Sequence, residues 1–334
     1  MSSLARLVMP VALTAVLLAG CAPSNDSVVG APAVATGTAA PCAPGAVEVG
    51  PDAEDLQRAL DTARPGAVLQ LSPVVYSGRF RAQVSGTDAA PVVLCGVEGS
   101  VLDGGGLDSG YTLHLDGASH WVVRDLGVRG GQKGVVLDAV SGATLSGVRI
   151  SDVGQEGLHL RRGSSDNLVR AVSVSRTGLS DPEFGEGVYV GSAESNWCRY
   201  TACEPDRSDR NIFESLSVAD TRAEAIDVKE GTSDGVVRSS TLSIAPDAVV
   251  DSAIDLKGSG WRVESSTVTG PAEAVSIHVI LAPWGSGNTV SGSVLRAGTG
   301  GRGVHLVDAA ASADNLVACD NTVAEGTALG VDGC

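Results

Sequence analysis

A chain of 334 residues is long enough for one large domain, but with 43% apolar residues, only 3% aromatic ones and 43 glycines its core cannot rest on ring packing. Thin repeated layers of Val, Leu, Ile and Ala strand suit it better. The net charge of −16 argues against a nucleic-acid partner, because that binding runs on Lys and Arg against phosphate.

The N-terminus reads MSSLARLVMPVALTAVLLAGC. Arg6 gives a positive start, and Leu7 to Ala19 is an apolar run too short for a membrane span. Leu18-Ala19-Gly20-Cys21 resembles a bacterial lipoprotein signal. The resemblance implies removal of residues 1–20, lipidation of the Cys21 thiol and an extracytoplasmic protein held on the membrane surface. More than one acyl chain makes such an anchor stable. The alternative is an ordinary secretory signal. Residues 21–45 are rich in Ala, Ser, Pro, Gly and Thr and read as a flexible tether. Residues 46–334 then form a single domain, expected to be a monomer.

That domain opens with DAEDLQRALDTA, a short helix in which Asp52 can cap the N-terminus while Leu56 and Leu60 share one face. Open ends of a strand stack need covering, and this helix is placed to do it. ARPGAVLQLSPVVYSG then starts the first coils. Seven later segments share the form small–apolar–x–apolar–x: GVVLD at 134, GLHLR at 157, GVYVG at 187, AIDVK at 225, AIDLK at 253, AVSIH at 274 and GVHLV at 303. Second strands lie between them, each preceded by a residue suited to positive φ: Asn167, Asn211, Gly235, Gly260, Asn288 and Asn315. AIDVK and AIDLK stand 28 residues apart, a period no helix uses and a coiling chain would stack. We read an all-β chain, a right-handed parallel β-helix with an N-terminal capping helix. Seven Cys less the lipidated one leave six, and their order suggests local pairs: Cys42–Cys95, Cys198–Cys203 and Cys319–Cys334.

DLQRALDTARPGAVLQLSPVVYSGRF followed by VLDGGG resembles the N-terminal part of chondroitinase-B and alginate-lyase type enzymes of the pectate-lyase-like superfamily. The resemblance covers most of residues 50–330 as an architecture. It implies a carbohydrate-active protein, a polysaccharide lyase that cleaves an acidic, uronate-containing polymer by β-elimination. Such enzymes remove the proton α to a uronate carboxylate, often with Lys or Arg as base, and some use calcium to neutralise the carboxylate.

The outward positions of the repeated strand stack into three columns. The first holds Lys133, Glu156, Glu186, Glu224, Ser252, Glu273 and Arg302; the second Val136, His159, Tyr189, Asp227, Asp255, Ser276 and His305; the third Asp138, Arg161, Gly191, Lys229, Lys257, His278 and Val307. The coil from Gly187 takes 24 residues to reach its corner where others take 10, and its insert carries Trp197 and Tyr200. A smaller insert after Ala274 carries Trp284. Trp197 and Trp284 are expected at the edge of the charged groove, as platforms for sugar rings.

Lys229 and Lys257 are then the candidate bases. Strands lie about 4.8 Å apart, so a second ammonium opposes the first by ~3 kcal/mol, and Asp227 and Asp255 counter with ~2.4 kcal/mol each. The opposing effects nearly cancel. Calcium on Glu224, Asp227 and Asp255 would free a lysine to act as base. Tyr189 is the expected proton donor and Arg161 the carboxylate clamp, with His159, Glu186, Trp197, Tyr200, His278 and Trp284 binding the sugar chain. Two other readings stand beside this one. One is an inverting glycoside hydrolase with Glu186 and Asp255 as its carboxyl pair. The other is a glycan-binding or structural surface lipoprotein without turnover.

Overall fold

Alternation over three or four residues makes strands too short to bury a face alone, so they must stack. In the computed structural model, which describes residues 42, 43, 45–331 and 334, they stack in parallel into sheets of eleven, nine and ten strands. Each strand pairs with its counterparts one coil before and one coil after, which makes the chain a parallel β-helix. The expected signal peptide, Cys21 and most of the tether lie outside the described residues.

All seven repeat segments fall in the nine-stranded sheet. Ile226, Asp227 and Val228 lie opposite Ile254, Asp255 and Leu256, so the two near-identical pentapeptides are directly superposed. Two further strands, Phe80–Ala82 and Tyr111–Asp116, precede them in the same sheet. The sequence pattern misses the second of these because Thr112 stands where the repeat has Gly or Ala. Its hydroxyl donates to the Gly130 carbonyl at 2.7 Å, which makes a polar side chain acceptable in that slot.

Inward side chains are Val, Leu and Ile, with Tyr76, Phe80, Trp121, Phe213 and Trp261 as the large rings inside. Corners are held by side-chain ladders. Asn167 Nδ2 donates to Asn211 Oδ1 at 3.0 Å, and Asn211 Nδ2 donates to the carbonyls of Ser164 and Ser208 at 2.8 and 3.0 Å. Further along, Asn315 Oδ1 accepts from the Asn288 amide and Asn288 Oδ1 from the Trp261 amide, both at 2.8 Å. The sequence reading expected positive φ at the asparagines and at Gly235, and none of them takes it; before Gly235 the turn falls to Asp234. The residue before each asparagine does take it: Asp166, Arg210, Gly287 and Asp314. That residue turns the corner and leaves the Asn amide pointing inward to the ladder.

Gly260 is likewise a turn residue, and its neighbour Trp261 occupies the ladder position of that coil. The indole fits because Gly235 lies below it: a Cβ there would stand 2.2 Å from the ring. A second ladder, absent from the sequence reading, runs along the next corner. Ser240, Ser266 and Ser293 pass amide-to-hydroxyl bonds of 3.2 and 3.1 Å from coil to coil and end on Asn321 at 3.0 Å.

The capping helix spans Ala53–Thr62, with Leu56 and Leu60 fully buried against the first coils. Asp52 is extended and its side chain makes no capping bond; only its carbonyl accepts, from Leu56 N at 3.1 Å. Cys42–Cys95, Cys198–Cys203 and Cys319–Cys334 are the bonded pairs.

Candidate functional site

The outer face of the nine-stranded sheet collects the ionisable residues, as the three columns predict. They are not an exposed surface, however. Lys133, Glu156, Glu186, Asp227, Asp255 and Glu273 are all buried. Part of the cover is the insert after Val188–Val190, whose Arg199 and Tyr200 stand over Lys133 and Glu156. Asp206, wholly inside, accepts from the Arg162 and Gly163 amides at 3.0 and 2.9 Å and from the Ser192 and Ser208 hydroxyls at 2.8 Å each. Those four bonds fix the loop that carries helix Trp197–Tyr200.

Beneath this loop lies a cleft of about 330 Å³, lined by Tyr111, Lys133, Glu156, His159, Arg161, Phe184, Tyr189, Arg199 and Tyr200 among others. Arg161 is in the cleft wall but is already engaged. It donates to both oxygens of Asp138 at 2.6 and 3.1 Å and to the Tyr111 hydroxyl at 3.0 Å, with its guanidinium 4.3 Å from the Tyr200 ring centroid. Asp138 also receives His114 Nε2 at 2.9 Å, and these partners outweigh burial and hold its carboxyl well below the usual range. Arg161 is therefore a structural tie between sheet and loop. The cation left open to a ligand is Arg199, exposed on the helix above and without an ion pair among the described residues. The sequence columns omit Arg199, Tyr111 and Phe184, since two come from inserts and one from an unrecognised strand.

Trp197 and Trp284 depart from the expected sugar platform. Trp197 is buried, donates from Nε1 to the Ser192 carbonyl at 2.9 Å, and packs edge-on to Trp284 at 5.6 Å. The two inserts meet each other through their indoles. Tyr200 does line the cleft.

The repeated lysines come together as the stacked pentapeptides require. Asp227 sits between them: Lys229 Nζ lies 2.6 Å from Oδ2 and Lys257 Nζ 2.8 Å from Oδ1. Lys257 also contacts Asp255 Oδ2 at 2.7 Å, and His278 takes Asp255 Oδ1 at 2.7 Å. The near-balance inferred from strand spacing does not hold. Burial alone would lower both lysines, but the carboxylates at contact distance raise them above the ordinary ammonium value. In the resting protein neither is a base. The second Lys lowers the first only as a lesser effect because Asp227 is closer to each.

The Glu column behaves in the opposite way. Burial, reinforced by Glu156, Asp227 and Glu224, pushes Glu186 well above the usual carboxyl range, and burial with Asp227 brings Glu224 to about 7. Glu156, paired with Lys133 Nζ and 3.3 Å from His159 Nδ1, stays ionised. Oε2 of both Glu156 and Glu186 and Oγ of Ser252 are buried without a hydrogen-bond partner. His159 is held neutral, first by burial and then by Lys133. Its Nε2 is 3.0 Å from the Gly191 carbonyl, so the proton belongs there and Nδ1 carries the lone pair. Its ring meets Tyr189 edge-on at 4.5 Å, and Lys229 Nζ stands 5.1 Å from the Tyr189 centroid. Burial and the carboxylates around it hold the Tyr189 phenol protonated.

The acids that converge are Glu186, Glu224 and Asp227, with one oxygen from each within 4.8 Å of the others; Asp255 is not among them. Calcium on Glu224, Asp227 and Asp255 does not fit this arrangement, since both Asp227 oxygens and one of Asp255 face lysine ammoniums. For an inverting pair, Asp255 has neither oxygen clear for a water, because Lys257 and His278 cover them.

No protein-family model matches the sequence, and no curated protein does. Solved structures do. An alginate lyase from Paenibacillus sp. str. FPU-7 superposes with a TM-score of 0.76 at 30% identity, over 84% of this chain and 96% of that one. Pectate lyase Pel9A follows at 0.58 and 15% identity, over 83% and 75% of the two chains. The A-module of the Azotobacter vinelandii mannuronan C-5 epimerase AlgE4 reaches 0.51 at 11% identity, over 86% and 96%; these last two share the fold alone. At the identity and coverage of the first comparison, the chain belongs to the family of the Paenibacillus alginate lyase, among the pectate-lyase-like parallel β-helix proteins.

Proposed function

We propose that the protein is a polysaccharide lyase that cleaves a uronate-containing polymer, alginate foremost, by β-elimination. The observation that carries this reading is the pair His159 and Tyr189, a neutral imidazole and a protonated phenol in one register row at the cleft, with Lys229 held on Asp227 of the next coil, 5.1 Å from the Tyr189 ring. Membership in the alginate lyase family points the same way.

A uronate carboxylate entering the cleft meets the guanidinium of Arg199, with the ammonium of Lys229 behind the Tyr189 ring at 5.1 Å. Their charge stabilises the enolate-like state that forms when the neighbouring C–H proton leaves. His159 Nδ1 accepts that proton in exchange for its contact with the Lys133 ammonium at 3.4 Å, and Glu156 at 3.3 Å stabilises the resulting imidazolium. The C–H electron pair becomes the new C=C bond, the bond to the leaving sugar oxygen breaks, and Tyr189 protonates that oxygen. Lysine thus serves as charge and not as base, which revises the expectation from sequence. No step requires a metal. From the resemblance of residues 18–21 to a lipoprotein signal we infer that the enzyme works tethered to the outer side of the membrane.

The test is a panel of alginate, pectate and a neutral glucan, read by ultraviolet absorbance and by reducing ends. The reading expects absorbance from an unsaturated uronate in step with reducing ends, undiminished by EDTA, and a loss of about 10²–10⁴-fold in kcat for Tyr189→Phe. Reducing ends without absorbance would mean hydrolysis and would end the proposal.

A further inference from the structure

Most arginines among the described residues lie against a carboxylate, as with Arg129 on Asp103, Arg176 on Asp152 and Arg210 on Asp166. Arg149 and Arg170 are exceptions: both are exposed and neither makes an ion pair among the described residues. They stand together. Arg170 and Arg124 occupy the same register position two coils apart, with Ser146 between them, and Arg149 lies just round the corner on the intermediate coil. Three consecutive coils therefore each bring one arginine to the corner joining the eleven- and ten-stranded sheets.

That corner also holds a cleft of about 540 Å³, lined by Arg124, Arg149, Asp125, Glu98 and Cys42 among others, with Arg170 on the next coil outside its lining. Arg124 reaches Asp125 and the Cys42 carbonyl, each at 2.5 Å, so its guanidinium is oriented by the protein. Arg149 is left to a ligand. The nine-stranded sheet is a separate face, so this cleft is not part of the site described above.

We propose that this cleft is a second binding site for an acidic polysaccharide, which holds the polymer by its carboxylates without cleaving it. Planar guanidiniums match carboxylates in a paired geometry. Arg124 and Arg170 share a column two coils apart, about 9.6 Å at the usual strand spacing, with Arg149 offset between them, so the cations follow the stack as a linear polyanion would. The cleft is concave, with Glu98 and Asp125 in its wall, so a single strand that threads past them to the guanidiniums fits it better than a flat lipid surface. The ligand class rests on the uronate reading above; the existence of the site does not.

The test uses the whole protein and the variants Arg149→Glu and Arg170→Glu, singly and together. Affinity electrophoresis through alginate and through a neutral glucan gives binding; turnover is measured on polymer and on short oligosaccharides. The proposal expects the double variant to lose at least half of its alginate retardation, to raise KM for polymer about five-fold or more, and to keep kcat on short oligosaccharides. Retardation and polymer KM equal to wild type would overturn it. So would loss of binding to phosphatidylglycerol vesicles with alginate retardation unchanged. If no substrate is cleaved at all, the electrophoresis arm still decides this site while the lyase reading alone falls.

Discussion

The asparagine corner and the glutamate column are both ladders built by the same coil repeat, yet they end in opposite states. At the corner, Asn167 and Asn211 pass neutral amide bonds upward and every arm shown finds a partner. In the column, Glu156, Glu186 and Ser252 each keep a buried oxygen unpartnered, and adjacent carboxyls hold protons they would lose in water. Repetition is a stabilising device when the repeated group can both donate and accept. When the repeated group is an acid, the same stacking costs stability and yields chemistry.

The sharpest way to break that contrast is to remove the carboxylate the lysines share. Asp227→Asn leaves two ammoniums buried without their common partner, and unfolding by denaturant is expected to show a loss of about 3–5 kcal/mol. A loss below 1 kcal/mol would mean that water reaches the lysines. Next in size is a pH effect. Glu224 is raised to about 7 in the folded state, so its contribution is full below the unfolded carboxyl value, near 4.3, and is lost as pH climbs to 7. Stability measured across that window should fall by a few kcal/mol, and Glu224→Gln should flatten the fall. Asp138 and Asp255 shift the other way, and their share is lost only below about pH 4. The smallest effect lies at the neutral ladder. Asn211→Ala strands the amide of Asn167 and two carbonyls, which should cost about 1–3 kcal/mol and leave turnover per folded molecule unchanged.

The repeat was legible because small–apolar–x–apolar–x survives in seven coils, and AIDVK over AIDLK even carried the register. The disulfide pairs were legible because each joins cysteines that are neighbours in chain order. What pattern alone could not deliver was anything set by distance across coils. That Asp227 would lie between both lysines, and so decide their protonation, needs the 2.6 and 2.8 Å contacts. The roles of Trp197 and Arg199 depended on how one insert folds, and a loop without periodicity gives no such signal. Asp206, the residue that fixes this loop, lies in the run EPDRSDR and looks like any solvent-facing acid. Trp261 escaped notice because a ring in an asparagine slot is allowed only by the glycine beneath it.

The three disulfides clasp the first coils, one loop and the last coils, and none joins one middle coil to another. A solenoid opens most readily by peeling from its termini, since an outermost coil has a neighbour on one side only. Covalent ties at Cys42–Cys95 and Cys319–Cys334 close off both of those routes, each by about 3–4 kcal/mol of chain entropy. The centre of the stack carries no coil-to-coil cross-link, but the exposed clip Cys198–Cys203 brackets Arg199 and Tyr200, so a reductant should reach the loop over the cleft as readily as the two ends.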